Sequence, residues 1–342
     1  MIGAGTLLLL LFGSGIVSAA LVALLHPLLV RYALARPNAR SAHKQPTPQG
    51  AGIAVIAATT LVVAAAALLA PALIQEPLRL AAVFACAIGL AVVGVTDDIR
   101  PLEAVPRLAL QFLAAGILIA ALPSGLRVVP LLPFALERAL LLVGTVWLIN
   151  LTNFMDGIDW MTVAEVVPLT ATLAGFGLIG ALPPEATVTA LALCGALIGF
   201  APFNKPVARV FLGDVGSLPI GCLLAWLLVL LASRHLAAAA LLPLYYAADA
   251  TITLLRRLAK GENVTQAHRS HFYQRATDNG FSVMQIITRV CLVNIALGAL
   301  AFATLLVPSQ VLHVAVFAAG CTMVGLLLTH FARKRGPARP PR

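Results

Sequence analysis

The chain has 342 residues, 61% of them hydrophobic and only 11% charged, with a mean hydropathy of +0.98 and a formal net charge of +10. Soluble domains carry about 25% charged residues, so a soluble globular class is excluded, and solidly apolar rather than alternating segments argue against a β-barrel. No basic soluble module exists to read nucleic acid, which leaves topology and anionic lipid as the reason for the positive charge.

Apolar runs of roughly 20 residues recur throughout, each long enough to cross ~30 Å of hydrocarbon. They predict an all-α, polytopic membrane bundle of about eleven transmembrane helices, ten at fewest. The segments are about 4–28, 51–71, 79–96, 106–122, 136–151, 160–182, 187–203, 216–233, 236–255, 283–306 and 310–331. Residues 1–30 have no basic stretch before the apolar run, so the first segment reads as a retained span rather than a cleaved signal. One membrane domain, 1–342, is expected, with an inner loop at 256–282 and a basic tail at 333–342. The five cysteines all fall in apolar spans without a CxxC pair, and read as small buried hydrophobes.

An odd number of spans sets the termini on opposite sides. With the C-terminus in the cytoplasm, only four of the 23 Lys and Arg residues fall outside, Arg79, Arg127, Arg138 and Arg234, and 19 fall inside. That is the positive-inside bias. Of the acids, Glu76, Glu137 and Glu185 fall outside and the other ten lie at or near the inner face.

Four polar clusters interrupt the apolar pattern, each beside the end of a span. Asp97-Asp98 closes the third. Adjacent acids beside hydrocarbon repel and are costly to keep ionised, so a divalent cation or a nearby Arg is expected; an acidic loop countered by Arg100 reads equally well. Asn150–Asp159 follows the fifth span. If it is helical, Asn150, Asn153 and Asp156 recur at i, i+3 and i+6 along one side. Amide and carboxylate oxygens are the ligands Mg²⁺ takes alongside water and substrate phosphates. Gly157 would let a substrate approach the backbone closely. A polar cap between two spans does not account for so many metal-competent side chains at one spot.

Phe211-Leu212-Gly213-Asp214-Val215-Gly216-Ser217 opens the eighth span as a Gly-flanked turn at a helix N-terminus, which suits phosphate; a plain Asp or Ser N-cap is the simpler reading. The inner loop carries His268-Arg269-Ser270-His271 among further arginines, suited to pyrophosphate and proton transfer, or to lipid headgroups. Asp249, within the ninth span, is expected to support the site, with Thr251 or a loop Arg as its partner. Trp147 and Trp160 read as interface anchors.

Taken together, these residues resemble the polyprenyl-phosphate N-acetylhexosamine-1-phosphate transferase family. That family includes the initiating enzymes of O-antigen synthesis and phospho-N-acetylmuramoyl-pentapeptide transferase. The likeness runs from about residue 36 to residue 280. It covers Ser41-x-His43-x-x-Pro46-Thr47-Pro48-x-Gly50-x-Gly52, Asp97-Asp98, Asn150-x-x-Asn153-x-x-Asp156-Gly157-x-Asp159, Phe211-x-Gly213-Asp214-x-Gly216-Ser217, Asp249 with Arg256-Arg257, and His268-x-x-His271. The loop departs from the His-rich triplet of the muramoyl-pentapeptide enzymes and looks most like that of the O-antigen initiators.

The resemblance implies transfer of a sugar-1-phosphate from a UDP-N-acetylhexosamine to undecaprenyl phosphate at the cytoplasmic face of a bacterial inner membrane, with UMP released. It implies Mg²⁺ or Mn²⁺ on Asp214 and Asn153 with Asp98 nearby. Asp97 falls at the acceptor end, as base, nucleophile or positioning group, and Asp98, His268 and His271 join it in catalysis. Asn150, Asp156, Gly157, Asp159, Phe211, Arg269, His43 and Lys44 would bind substrate. A homodimer is left open. A transporter is the rival reading, but its acids would sit near the midplane in two repeated halves, and no repeat is visible.

Overall fold

The computed structural model describes residues 3–35, 46–263, 268–306 and 309–334. His43 and Lys44, and the tail beyond residue 334, lie outside the described residues. The elements in order are α1 (Ala4–Tyr32), β1 (Leu34–Ala35), β2 (Thr47–Pro48), α2 (Gly52–Leu69), α3 (Pro77–Ile99), α4 (Ala104–Ala121), α5 (Phe134–Met155), α6 (Met161–Leu178), α7 (Pro184–Phe200), α8 (Asp214–Ala232), α9 (Leu236–Leu241), α10 (Leu244–Ala259), α11 (Phe272–Asp278), α12 (Val283–Leu306) and α13 (Gln310–Ala332). β1 and β2 form a two-residue antiparallel pair.

The chain is a polytopic helical membrane protein. Among the described residues nine helices are long and apolar enough to cross a bilayer, and α7 is a shorter apolar helix of 17 residues. Leu9, Leu68, Leu69 and Val311 are among many large apolar side chains left outward, at 75–86% exposure. Water would not tolerate so wide an apolar belt, whereas lipid does.

The sequence predicts one span over 236–255, and the structure divides it. Pro243 has no N–H to continue the ladder and stands at the N-cap of α10. The 256–282 loop also differs from expectation: α10 runs on to Ala259, and α11 occupies 272–278.

Helix α8 is the axis of the bundle, with 83% of its apolar window buried. It packs against α2, α3, α5 and α9. In lipid, helix association comes from close packing and hydrogen bonds rather than apolar burial, so small residues gather at the contacts. Gly15 of α1 meets the Gly195 and Gly199 backbone of α7, and Ser14 Oγ donates to the Ala192 carbonyl at 2.6 Å. Gly221 of α8 lies against the Ile149 backbone of α5. These contacts fix the ends of α3, α5 and α8 relative to one another, and the site is built from those ends.

Candidate active site

The last turn of α3 carries Asp97 and Asp98, and the two side chains do different things. Asp98 faces the N-terminus of α8, where Oδ1 accepts from the Asp214 N–H at 2.9 Å and Oδ2 from the Val215 N–H at 3.2 Å. Gln49 Nε2 also donates to Asp98 Oδ1. The first N–H groups of a helix have no intrahelical acceptor, so a carboxylate from another helix satisfies two of them and meets the positive end of the dipole. Gly94 allows this approach, because a Cβ there would land on the Asp214 backbone. Gly213 takes φ +78°, and a Cβ there would meet Asp98 Oδ2 at 2.5 Å, so only glycine fits the turn.

Asp97 points to the other side. Its Oδ1 accepts from the Leu102 N–H at 2.6 Å and its Oδ2 from Arg107 Nη1 at 2.7 Å. Arg107 Nη1 also stands 3.8 Å from Asp214 Oδ2. The Asp97 and Asp214 carboxylates lie within hydrogen-bonding reach of each other. Asn153, in the last turn of α5, donates its amide N–H to Asp214 Oδ1 at 2.8 Å and to Ser217 Oγ at 3.0 Å. The structure therefore brings Asp97, Asp98, Asn153 and Asp214 together from α3, α5 and α8.

Two facing carboxylates share one guanidinium, so negative charge is left over. That charge and the all-oxygen donor set fit Mg²⁺, which is held by one or two carboxylates and completes its shell with water and phosphate. Asp97 and Asp214 are the groups that could hold it. Both oxygens of Asp98 accept backbone N–H groups of α8, so this carboxylate clasps the start of that helix. Asn153 turns its amide nitrogen to Asp214 and orients that carboxylate. Among the described residues no group of three His, Cys, Asp or Glu side chains is arranged around one cation position.

The residues expected along one side of 150–159 do not share a partner. Asn150 donates to Gln111 Oε1 of α4 at 2.5 Å and to the Val146 carbonyl. Asp156 accepts from Thr162 Oγ1 at 2.5 Å. Asp159 is buried, and its Oδ2 takes the Ala208 N–H at 3.0 Å, fastening the 201–210 loop. Trp160, expected as an interface anchor, sits at φ 62°, a strained position for a bulky residue worth about 1–3 kcal/mol. Its N–H to Asn204 Oδ1 (2.8 Å) and Nε1–H to the Ala201 carbonyl (2.6 Å) hold it there. Trp147 likewise donates inward, to Thr251. The space beside Gly157 is taken by the Tyr273 hydroxyl rather than left for a substrate.

Packing around the Asp156 carboxyl, with the Asp98 and Asp159 charges nearby, raises it from 3.8 to about 7, against the lowering effect of the Thr162 hydroxyl. Between about pH 4 and pH 7 the folded chain then holds a proton that the unfolded chain has released, so stability falls as pH rises through that window. Asp156→Asn should flatten the fall. Unfolding midpoints of both proteins across that range check it, and parallel curves would contradict it.

The His loop docks on the same end of α5. Tyr273 donates to the Phe154 carbonyl at 3.0 Å, next in sequence to Asn153. Asp249 accepts from the Phe272 N–H (2.9 Å), the Tyr273 N–H (3.1 Å) and, at 3.2 Å, pairs with His271 Nδ1. Its partners are thus the α11 N-terminus and His271, with Thr253 at 3.4 Å, not Thr251 or an arginine. The His268 ring lies 4.9 Å from that of His271. Arg269, expected on the diphosphate, folds back to Thr277 Oγ1 (2.9 Å) and Asp278 (3.2 Å). Phe211 is half-buried, and its backbone joins the Pro48–Ala51 strand end through three hydrogen bonds.

Arg107 is the residue that sequence reasoning missed. The signal was present: it is the only charge in α4, and an ionisable side chain inside an apolar span marks a functional site by default.

Residues 80–232 match the sequence model of glycosyl transferase family 4. The decaprenyl-phosphate N-acetylglucosaminephosphotransferase of Mycolicibacterium smegmatis is 31% identical over 229 residues, covering 58% of this chain and 53% of its own. The Mycobacterium tuberculosis protein of the same name is 31% identical over 211 residues, 56% and 52%. The phospho-N-acetylmuramoyl-pentapeptide-transferase of Streptococcus pyogenes is 34% identical over 152 residues, 39% and 44%. The chain spans about half the length of the curated relatives it matches. The family match contains the whole acid cluster with Arg107, while Asp249 and the His loop lie beyond it. Over residues 80–232, the chain is similar to glycosyl transferase family 4.

Proposed function

We propose that this chain transfers an N-acetylhexosamine-1-phosphate, or a 6-deoxy derivative, from a UDP-sugar to undecaprenyl phosphate, as the first step of O-antigen or other cell-surface polysaccharide synthesis. The observation that carries the reading is the meeting of Asp97, Arg107 and Asp214 at the N-terminus of α8. A phosphate oxygen of the lipid forms a bond to the sugar-bearing phosphorus, the bond to the bridging oxygen breaks, and UMP leaves. Such transfers depend on positioning and charge neutralisation. A divalent metal on Asp97 and Asp214 would neutralise charge on the transferring phosphoryl group. Arg107 holds those carboxylates in place and offers its remaining N–H groups to phosphate. Asp98 and Asn153 fix Asp214, and Asp249 fixes His271 beside the α5 end.

The active site is assigned to the cytoplasmic side of a bacterial inner membrane, with the N-terminus outside and the C-terminus inside, on the distribution of Lys and Arg. N-acetylglucosamine is the first donor to test, because the longer matches are to relatives named for it. Purified protein with undecaprenyl phosphate, Mg²⁺ and a panel of UDP-N-acetylhexosamines, UDP-N-acetylmuramoyl-pentapeptide included, should release UMP with one donor of the panel. Silence with every donor would refute the activity. His268→Ala should raise the KM for the sugar donor about tenfold while leaving that for the lipid unchanged; equal changes in both would remove His268 from the donor side.

A further inference from the structure

The α4–α5 pair carries a second feature at its other end, about 20 Å along α4 from Arg107 at 1.5 Å per residue. A groove of about 500 Å³ opens between the two helices, lined by Gly116 and Ala120 of α4, Ala139 and Leu142 of α5, and closed by Phe134 and Arg138. That volume is in the ~300–1,000 Å³ range of small-molecule sites. Small residues create it: a Cβ added at Gly116 would meet nothing within 4 Å. Leu113, Ile117, Leu140 and Val143 on the same two helices are exposed, so the groove opens onto the surface that faces lipid.

Arg138 gives the groove its chemistry. Nη2 donates to the carbonyls of Pro123 (3.2 Å) and Leu126 (2.9 Å), and the guanidinium lies 4.8 Å from the centre of the Phe134 ring. Nη1 is buried and has no partner among the described residues. The adjacent acid does not help: Glu137 is engaged by Arg127 and by the N–H groups of Val128 and Val129. A guanidinium does not lose its proton, so a positive charge stands at the end of an apolar slot. An anionic headgroup attached to a hydrocarbon chain satisfies both.

We propose that this groove binds one anionic phospholipid of the leaflet opposite the candidate active site, its phosphate at the Arg138 guanidinium and an acyl chain in the slot over Gly116. A helix from a second copy would fill the slot but bring no anion to the charge. The proposal does not rest on the transferase reading.

The test uses the full chain in neutral detergent, titrated with phosphatidylglycerol or with phosphatidylcholine of the same chains, and follows retained lipid by native mass spectrometry. One phosphatidylglycerol per chain should be retained, about tenfold more tightly than phosphatidylcholine, a difference of about 1.4 kcal/mol. Arg138→Gln and, separately, Gly116→Leu should each weaken retention about tenfold. Gly116→Leu leaves every hydrogen bond of Arg138 in place, so it separates loss of the slot from loss of the 123–126 turn. Equal retention of the two lipids would overturn the proposal. So would indifference to both variants, displacement of the lipid by inorganic phosphate alone, or a dimer that Gly116→Leu dissolves.

Discussion

Asp97→Asn and Asp214→Asn should each lower UMP release by about 10³-fold at saturating substrates, the scale of losing a positioned charge or proton-transfer group at a reacting phosphoryl centre. Both changes are isosteric. Asparagine at 97 can still accept the Leu102 N–H, and asparagine at 214 leaves the backbone N–H groups of α8 on Asp98, so unfolding midpoints should move by only a few degrees. The two carboxylates face each other and share Arg107, so they act as a unit and the double variant should be little slower than either single one. Asp98→Asn should behave differently. Its two oxygens accept two different backbone N–H groups, and an amide can accept only one while turning an NH₂ against the other. That leaves a buried donor unmet at a cost of about 1–3 kcal/mol, so its loss of turnover should come with a lower unfolding midpoint. Turnover within tenfold of wild type for both Asp97→Asn and Asp214→Asn would take the proposed site away.

Much of this architecture could be read before any coordinates, for a physical reason. Hydrocarbon demands long uninterrupted apolar stretches, so span positions stand out from composition alone, and the clusters that break the pattern are conspicuous because they are costly. Two features escaped. The break at Pro243 is a local backbone effect inside a stretch whose hydropathy is continuous, and α11 is too short to show a period. In the site, the residue types were legible but the pairings were not. Asp97 and Asp98 are neighbours in sequence yet serve different tasks, because successive side chains on a helix point about 100° apart and meet different helices. Asn150 and Asn153 look equivalent by spacing, but one meets α4 and the other α8. Gly157 reads as room for a ligand until Tyr273, more than a hundred residues later, is seen to fill it. Such outcomes depend on which helices pack together, and hydropathy carries no information about that.

Arg107→Gln should lower turnover by about 10²-fold and also change how the protein responds to metal. In the native arrangement the guanidinium stands between Asp97, at 2.7 Å, and Asp214, at 3.8 Å. Without it two carboxylates face each other with no cation. At about 4 Å and an effective dielectric constant of about 20, like charges repel by about 4 kcal/mol. A pair under that strain takes up a divalent cation more avidly, so the Mg²⁺ concentration giving half-maximal rate should fall although the rate itself drops. Arg107→Lys keeps the charge without the planar fork. It should return the Mg²⁺ requirement toward that of wild type and recover only part of the turnover. A merely structural arginine would predict another pattern: a lower unfolding midpoint, with Mg²⁺ dependence unchanged in whatever activity remains. Arg107 can meet both carboxylates because α4 begins five residues after Ile99 and returns alongside α3, so a charge ten residues past Asp97 comes back level with it. If Arg107→Gln kept turnover within about threefold of wild type, the shared guanidinium would be a packing detail, and the acid cluster would need another source of positive charge to meet a diphosphate.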